Sequence, residues 1–441
     1  MTENATPPRP TSRLARLPFF YGWVVIGVAF VTMGIGVNTR TAFSLLYPPI
    51  LDEFGWERGE TAAIFTIGFV VTAAITPFIG VLMDRFGPRM VLPIGGVLSA
   101  AGMGLTTLAT TPLHFYLTLG ALVVGGSVFM SYIGHSMFLP NWFTKKRGLA
   151  IGIAFSGVGV GSIILFPWLQ HLIDEVGWRA ACLAIMGLLI VLVLPLNLVL
   201  IRGFPRDIGL TPAGGTPADA ASGAGAVDNV VDREWAETDW TLARAAATGR
   251  FWWVSLAFLT GLFAWYAVQV HQTKYLVDMG FDPAEAALAL GLVGLTGIVG
   301  QIGLGHLSDR IGREWVWTIS LVGFAACYLL LLALKSNPSP VVMYAMVASQ
   351  GLLGYGLASL YGPIPAELFQ GRKFATILGA LSFAATLGAA GGPWVLGEIH
   401  DRTGSYDLGF WLALALALVS ILAIWMAAPR KVRAVAGRVG K

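Results

Sequence analysis

Gly80-Val81-Leu82-Met83-Asp84-Arg85-Phe86-Gly87-Pro88-Arg89 is matched, 225 residues further on, by Gly305-His306-Leu307-Ser308-Asp309-Arg310-Ile311-Gly312-Arg313. Both stretches read G-x-x-x-D-R-x-G with an arginine just beyond. About half the chain separates them, so the sequence is an internal duplication. Each copy ends a long apolar run. The first glycine lets two helices approach closely, and the Asp and Arg fall where the run meets a membrane interface. Charges there can pair across helix ends, latch one conformation and release in another. A plain membrane-edge anchor would explain one copy; a matched pair at equivalent positions favours the latch.

The surroundings of the motif are lipid-soluble. Of 441 residues, 56% are hydrophobic and 12% charged, against roughly 25% charged in a soluble domain. Mean hydropathy is +0.72. A bilayer core needs about 20 apolar residues per helix. Runs of that length fall near 20–46, 60–82, 90–110, 114–140, 148–170, 178–201, 251–277, 284–307, 315–335, 340–366, 373–396 and 407–428. The expectation is an all-α membrane protein of twelve transmembrane helices in two pseudo-symmetric six-helix bundles, 18–201 and 251–428. A tail at 1–17, a central loop at 202–250 and a basic tail at 429–441 complete the chain. In the loop, Thr211 to Val227 is rich in Ala, Gly and Pro, and Arg233 to Arg250 suits a short amphipathic helix on the membrane surface.

Charge orients the spans. With the N-terminus in the cytoplasm, 22 of the 28 Lys and Arg residues fall on that side, a positive-inside pattern with both termini cytoplasmic. An inner membrane is the expected location. Residues 1–17 lead into an apolar run too long for a signal-peptide core. Cys182 and Cys327 lie in separate apolar runs and imply neither a disulfide framework nor a metal cluster. No phosphate loop or metal-ligand spacing appears, so neither catalysis nor a cofactor is expected. A net charge of +4 without a basic soluble domain excludes a nucleic-acid partner.

The duplicated motif resembles the signature of the major facilitator superfamily, and the resemblance covers about residues 18–430. Three further stretches resemble the monocarboxylate-porter branch and its bacterial relatives. They are Tyr21-Gly22-Trp23-Val24-Val25, Asn38-Thr39-Arg40-Thr41-Ala42-Phe43-Ser44, and Asn141-Trp142-Phe143-Thr144-Lys145-Lys146-Arg147-Gly148-Leu149-Ala150-Ile151-Gly152-Ile153-Ala154. Arg202 to Leu210 is similar to the segment that follows their sixth helix. The resemblance implies the major facilitator fold and proton symport. The chain departs from the branch at Gln301, where its carboxylate porters carry an arginine, and a fixed positive charge is lost there.

Arg40 is the only charge well inside a span. A central charge is costly, so it usually faces a pathway, and Arg grips a carboxylate with two parallel bonds. The alternative is snorkelling to the outer headgroups. Around it, Asn38, Tyr132, Tyr266, Gln301, Tyr355 and Tyr361 are candidate substrate contacts; the tyrosines pack between helices on the other reading. His135, His271 and Lys274 are candidates for proton coupling, since imidazole titrates near neutral pH; structural or interfacial roles are their alternatives. Asp84, Arg85, Arg89, Asp309, Arg310, Arg313 and Glu367 are the gating candidates. Small-residue seams at Gly157–Gly161 and Gly388–Pro393 suit rocking of the halves.

The expected function is a secondary active transporter, acting as a monomer. It would move a small organic anion, a monocarboxylate or an aromatic acid, by alternating access with protons as partner. A carrier for a drug-like compound or vitamin, and a non-transporting membrane sensor, are the alternatives.

Overall fold

The computed structural model describes residues 19–56, 58–144, 146–211 and 230–435. The expected tail at 1–17, most of the Ala/Gly/Pro-rich stretch and residues 436–441 lie outside the described residues. Twelve helices among the described residues are long and apolar enough to cross a membrane. They are α1 Gly22–Tyr47, α2 Ile67–Phe86, α3 Pro88–Thr106, α4 Pro112–Asn141, α5 Arg147–Val176, α6 Trp178–Leu200, α7 Gly249–Asp278, α8 Leu288–Ile311, α9 Arg313–Leu334, α10 Pro340–Phe369, α11 Phe374–Thr403 and α12 Asp407–Lys431. The shortest has 19 residues, about 28 Å at 1.5 Å per residue, which matches the hydrocarbon thickness. Large apolar side chains such as Phe78, Val191 and Trp394 stand exposed on the outside. That arrangement costs free energy in water and none in lipid.

The second glycine of each motif copy makes the turn. Gly87 has φ +73° and Gly312 has φ +116°, a region closed to most side chains. Each lets α2 pass to α3, and α8 to α9, through a single residue. The first glycine of each copy makes a crossing. A Cβ on Gly80 would strike the Ala375 carbonyl of α11, and one on Gly305 the Gly148 carbonyl of α5. Both crossings join one half of the molecule to the other.

The expected seams do something different. Gly157 and Gly161 press against α1 at Phe30 and Gly34, while Gly388 and Gly392 press against α7 at Leu259 and Phe263. They knit α1 to α5 and α7 to α11 within each half and so stiffen the halves, while Gly159 of the first seam faces α8 of the other half at Ile298 and Gly294. The sliding contacts are α5 on α8 and α2 on α11. One apolar core joins both halves at the motif end and runs on through the C-terminal half; the opposite end of the N-terminal half has a second, separate core, held mainly by α1, α3, α4 and α6. The halves are therefore joined at the motif end.

The segment before α7 also corrects the sequence reading. Two short helices, Arg233–Glu237 and Leu242–Ala246, replace the single surface helix. Trp235 Nε1 donates to the Leu368 carbonyl at 2.8 Å, and the Trp240 ring meets Phe369 edge-on at 5.2 Å. Two indoles prefer a buried apolar ledge with a carbonyl partner to a position along the bilayer surface. Val231 and Asp232 donate backbone N–H groups to the Val432 carbonyl, which ties this segment to the chain's last described residues.

Candidate functional site

The motif carboxylates act as helix caps supplied from the opposite half. α5 starts after Lys146 and α11 after Lys373, and neither side chain caps its helix. A lysine has no acceptor to offer the free N–H groups of a first turn. Asp309 fills the gap on α5, accepting from Gly148 N at 3.0 Å and Leu149 N at 3.1 Å. Asp84 does the same on α11, accepting from Ala375 N at 3.2 Å and Thr376 N at 2.8 Å. In both helices the donors are the second and third residues. The negative charge also meets the positive end of the helix dipole.

Beyond the caps the two copies diverge. Arg313 is buried between Asp309, 2.8 Å away, and Glu367, 2.7 Å away. Arg147 of the other half and Arg433 of the C-terminal segment also face Glu367. Arg89, the counterpart of Arg313, is exposed and donates to the Leu198 carbonyl at 2.6 Å, within its own half. Arg85 lies over the Phe86 ring and Arg310 is exposed. Of the seven gating candidates, only Asp84 and Asp309 hydrogen-bond to the other half among the described residues; Arg85, Arg89 and Arg310 are exposed. They stand on the outward side of their helices. Asp84 and Asp309 join the halves, while Arg313 and Glu367 pair within the C-terminal half beside Arg147 of the other half; Glu367 pairs with the motif arginine Arg313 and not with Arg372.

Above these contacts lies a cavity of about 100 Å³. One water needs ~10–15 Å³ by the same measure, so the space suits one small solute. Its walls come from α1, α2, α4, α7, α10 and α11 of both halves. Arg40, Tyr132, Tyr266 and Tyr361 line it, together with Trp265 and Phe69. The Arg40 guanidinium sits 5.5 Å from the Phe69 ring centroid and forms no ion pair with a carboxylate among the described residues. Its cavity position departs from the snorkelling alternative. Ser131 and Thr386 also line the cavity. Both spend their hydroxyl protons on backbone carbonyls, of Val128 at 2.7 Å and Ser382 at 2.9 Å, and so present lone pairs.

Asn38, Gln301 and Tyr355 do not line the cavity. Asn38 Nδ2 donates to the Gly34 and Val158 carbonyls, at 2.7 and 2.9 Å, and fastens α1 to α5. Gln301 is buried beside Tyr132, with Oε1 unpartnered. Its carbonyl accepts from Ser359 Oγ at 2.7 Å. Tyr355 stands one layer back, its ring 4.6 Å from that of Trp265. His135, His271 and Lys274 are also absent from the walls. His135 is fully buried with Nδ1 at 3.1 Å from the Ser131 carbonyl. His271 joins α7 to α11 through the Pro393 carbonyl at 2.8 Å. Lys274 is exposed and paired with Asp278. The wall residues Phe69, Thr72, Ser131 and Thr386 went unmarked in the sequence, because one polar or aromatic residue in an apolar helix carries no signal of its direction.

At the end opposite the motif, Arg179 grips Glu53 through two bonds of 2.7 Å, and Trp178 Nε1 adds a third of 2.7 Å. The Arg179 guanidinium holds the Glu53 carboxyl below the usual carboxylate range.

Comparison with known proteins agrees with this architecture. The family model described as Major Facilitator Superfamily matches residues 24–305 and 272–440. Monocarboxylate transporter 13 of Rattus norvegicus is 28% identical over 406 residues, covering 90% of this chain and 87% of the relative. The proton:xylose symporter XylE shares the fold, with a TM-score of 0.73 at 14% identity over 92% of this chain and 95% of its own. FucP, solved in the outward conformation, gives a TM-score of 0.69 at 15% identity over 93% and 100%. Because the family match runs from the first span to the last, this chain belongs to the Major Facilitator Superfamily, as a multi-pass membrane transporter.

Proposed function

We propose that this transporter moves a small organic anion, a monocarboxylate or an aromatic acid, by alternating access, as a monomer in the inner membrane. The observation that carries the reading is Arg40, a guanidinium lining a cavity between the halves with no carboxylate partner among the described residues. Its fork matches a carboxylate, and the low-dielectric surroundings strengthen the pairing. The excess of Lys and Arg at the motif end supports a cytoplasmic assignment for that end and for both termini. On that assignment the end joined by the two caps is the cytoplasmic one. Proton coupling belongs to the same reading, and the symporter XylE named above supports it. His135, His271 and Lys274 are the proton-coupling candidates of this reading, all three outside the cavity walls.

A second reading, a carrier for an uncharged drug-like solute or vitamin, is favoured by one feature. The neutral Gln301 stands where the branch's porters have an arginine. Uptake into proteoliposomes separates the two. We expect a labelled organic acid to accumulate, faster with an acid exterior, and Arg40→Ala to abolish uptake while the protein stays folded. Uptake of neutral solutes alone, unaffected by Arg40→Ala, would establish the second reading instead.

A further inference from the structure

The cavity wall contains a ring platform built more firmly than a packing contact requires. Trp265 lines the cavity and is almost fully buried. Its ring lies 4.6 Å from that of Tyr355 at 41° and 6.5 Å from that of Tyr266 at 27°. Two of the three rings are pinned through one side chain. Trp265 Nε1 donates to Gln269 Oε1 at 3.0 Å, and Gln269 Nε2 donates to the Tyr355 hydroxyl at 3.4 Å. The amide uses its acceptor on one ring and its donor on the other, one helical turn along α7 from Trp265. Without it an indole N–H and a phenol would sit unpaired in an apolar wall, a costly arrangement. A second stack stands in the same half. Tyr361 stacks on Phe258 at 4.5 Å and 17°, and Phe258 stacks on Trp317 at 5.5 Å and 23°. The C-terminal-half side of the cavity is therefore faced by aromatic surface, through Trp265, Tyr266 and Tyr361, that cannot rearrange cheaply around a small aliphatic solute.

We propose that Gln269 is a positioning residue which holds Trp265 and Tyr355 as a fixed platform. The platform makes the carrier selective for planar aromatic acids over short aliphatic ones. The proposal rests on the organic-anion reading: Arg40 takes the carboxylate and the platform takes the ring. A flat ring gains an offset or edge-on contact with Trp265, worth roughly two- to tenfold in affinity beyond its area. A two- or three-carbon acid has no surface to make that contact and leaves part of the cavity wet.

The test compares initial uptake of labelled phenylacetate and labelled lactate by the full chain in proteoliposomes. Native protein is set against Gln269→Met, which keeps side-chain length but removes both hydrogen bonds, and against Trp265→Leu and Arg40→Gln. Folding is checked by monodisperse elution in detergent. We expect native protein to favour phenylacetate in kcat/KM. Gln269→Met should lower that preference roughly three- to tenfold, mainly through KM, and Trp265→Leu at least as much; Arg40→Gln should abolish uptake of both acids. If both acids are moved equally well, or folded Gln269→Met keeps the native preference, the platform proposal falls while an Arg40-dependent anion reading stands. If native protein moves neither acid, the anion reading falls and takes the platform with it. A global packing defect in Gln269→Met would slow both acids alike, so an unchanged ratio of reduced rates also overturns the proposal.

Discussion

Arg313 and Arg89 occupy the same place in a repeated pattern and carry different burdens. Arg313 is buried between two carboxylates. Removing one partner of a buried pair leaves uncompensated charge, at a cost of about 3–5 kcal/mol. Arg313→Met should therefore lower thermal stability in detergent severely or abolish folded yield. Arg89→Met should cost less than about 1 kcal/mol, because its side chain is exposed and its partner is one carbonyl. Equal loss in the two variants would mean that the burial of Arg313 is not what distinguishes them. At the opposite end, Glu53 titrates below its usual range because of Arg179. A depressed carboxyl contributes stability that is present above the unfolded value near ~4.3 and lost as pH falls through the folded one. The pair is well exposed, so the contribution is under about 1 kcal/mol. The small melting-temperature gap between native protein and Glu53→Gln at neutral pH should close in strong acid; a gap that persists there would argue for packing.

The caps set the helix starts and tie each start to the opposite half. Replacing a capping Asp by Ala costs about 1 kcal/mol, a population shift of roughly fivefold. Asp84→Ala should thus raise the labelling rate of a cavity cysteine, Ser131→Cys, from the motif side by about that factor. Asp309→Ala should raise it further, because Arg313 loses a partner as well. Unchanged rates in both variants would mean that the caps do not hold the closure. How much of this was legible follows from where each interaction closes. The twelve spans and the repeat could be read from the sequence, since apolar length and duplication act locally; Arg40 could be read as an intramembrane charge, with a pathway and the outer headgroups as its two alternatives. The targets of Asp84 and Asp309 could not, because the capped turns lie 291 and 161 residues away. Asn38 misled for a related reason: an amide beside a pathway arginine looks like a ligand, and its fastening to Val158 appears only once α1 and α5 cross. The π-helical turns at Tyr116–Val124, Leu189–Val193 and Ser349–Gly354 also left no pattern, since one extra residue per turn is invisible in an unbroken apolar run.

The whole molecule reads as two stiff halves joined at one end. Within each half, glycine seams bring helix backbones into contact. Between halves, the motif end is held by two caps, a buried charge cluster and close approach of α4 to α10. At that last contact an added Cβ on Gly362 would lie 3.1 Å from the Cβ of Ser136. A disulfide needs a Cβ separation of about 3.5–4.5 Å, so a shift of a few tenths of an ångström would admit one. Gly362 has φ −85°, which a cysteine adopts without strain. The native Cys182 and Cys327 are buried and leave the pairing chemistry to the introduced pair. Oxidised Ser136→Cys/Gly362→Cys protein should be fixed with the motif end shut: transport should stop, and reductant should restore it. The single variants should transport under both conditions. Continued transport by fully cross-linked protein would show that the halves exchange access without parting at α4 and α10, and the rocking account of this chain would have to be replaced by local gating around the cavity.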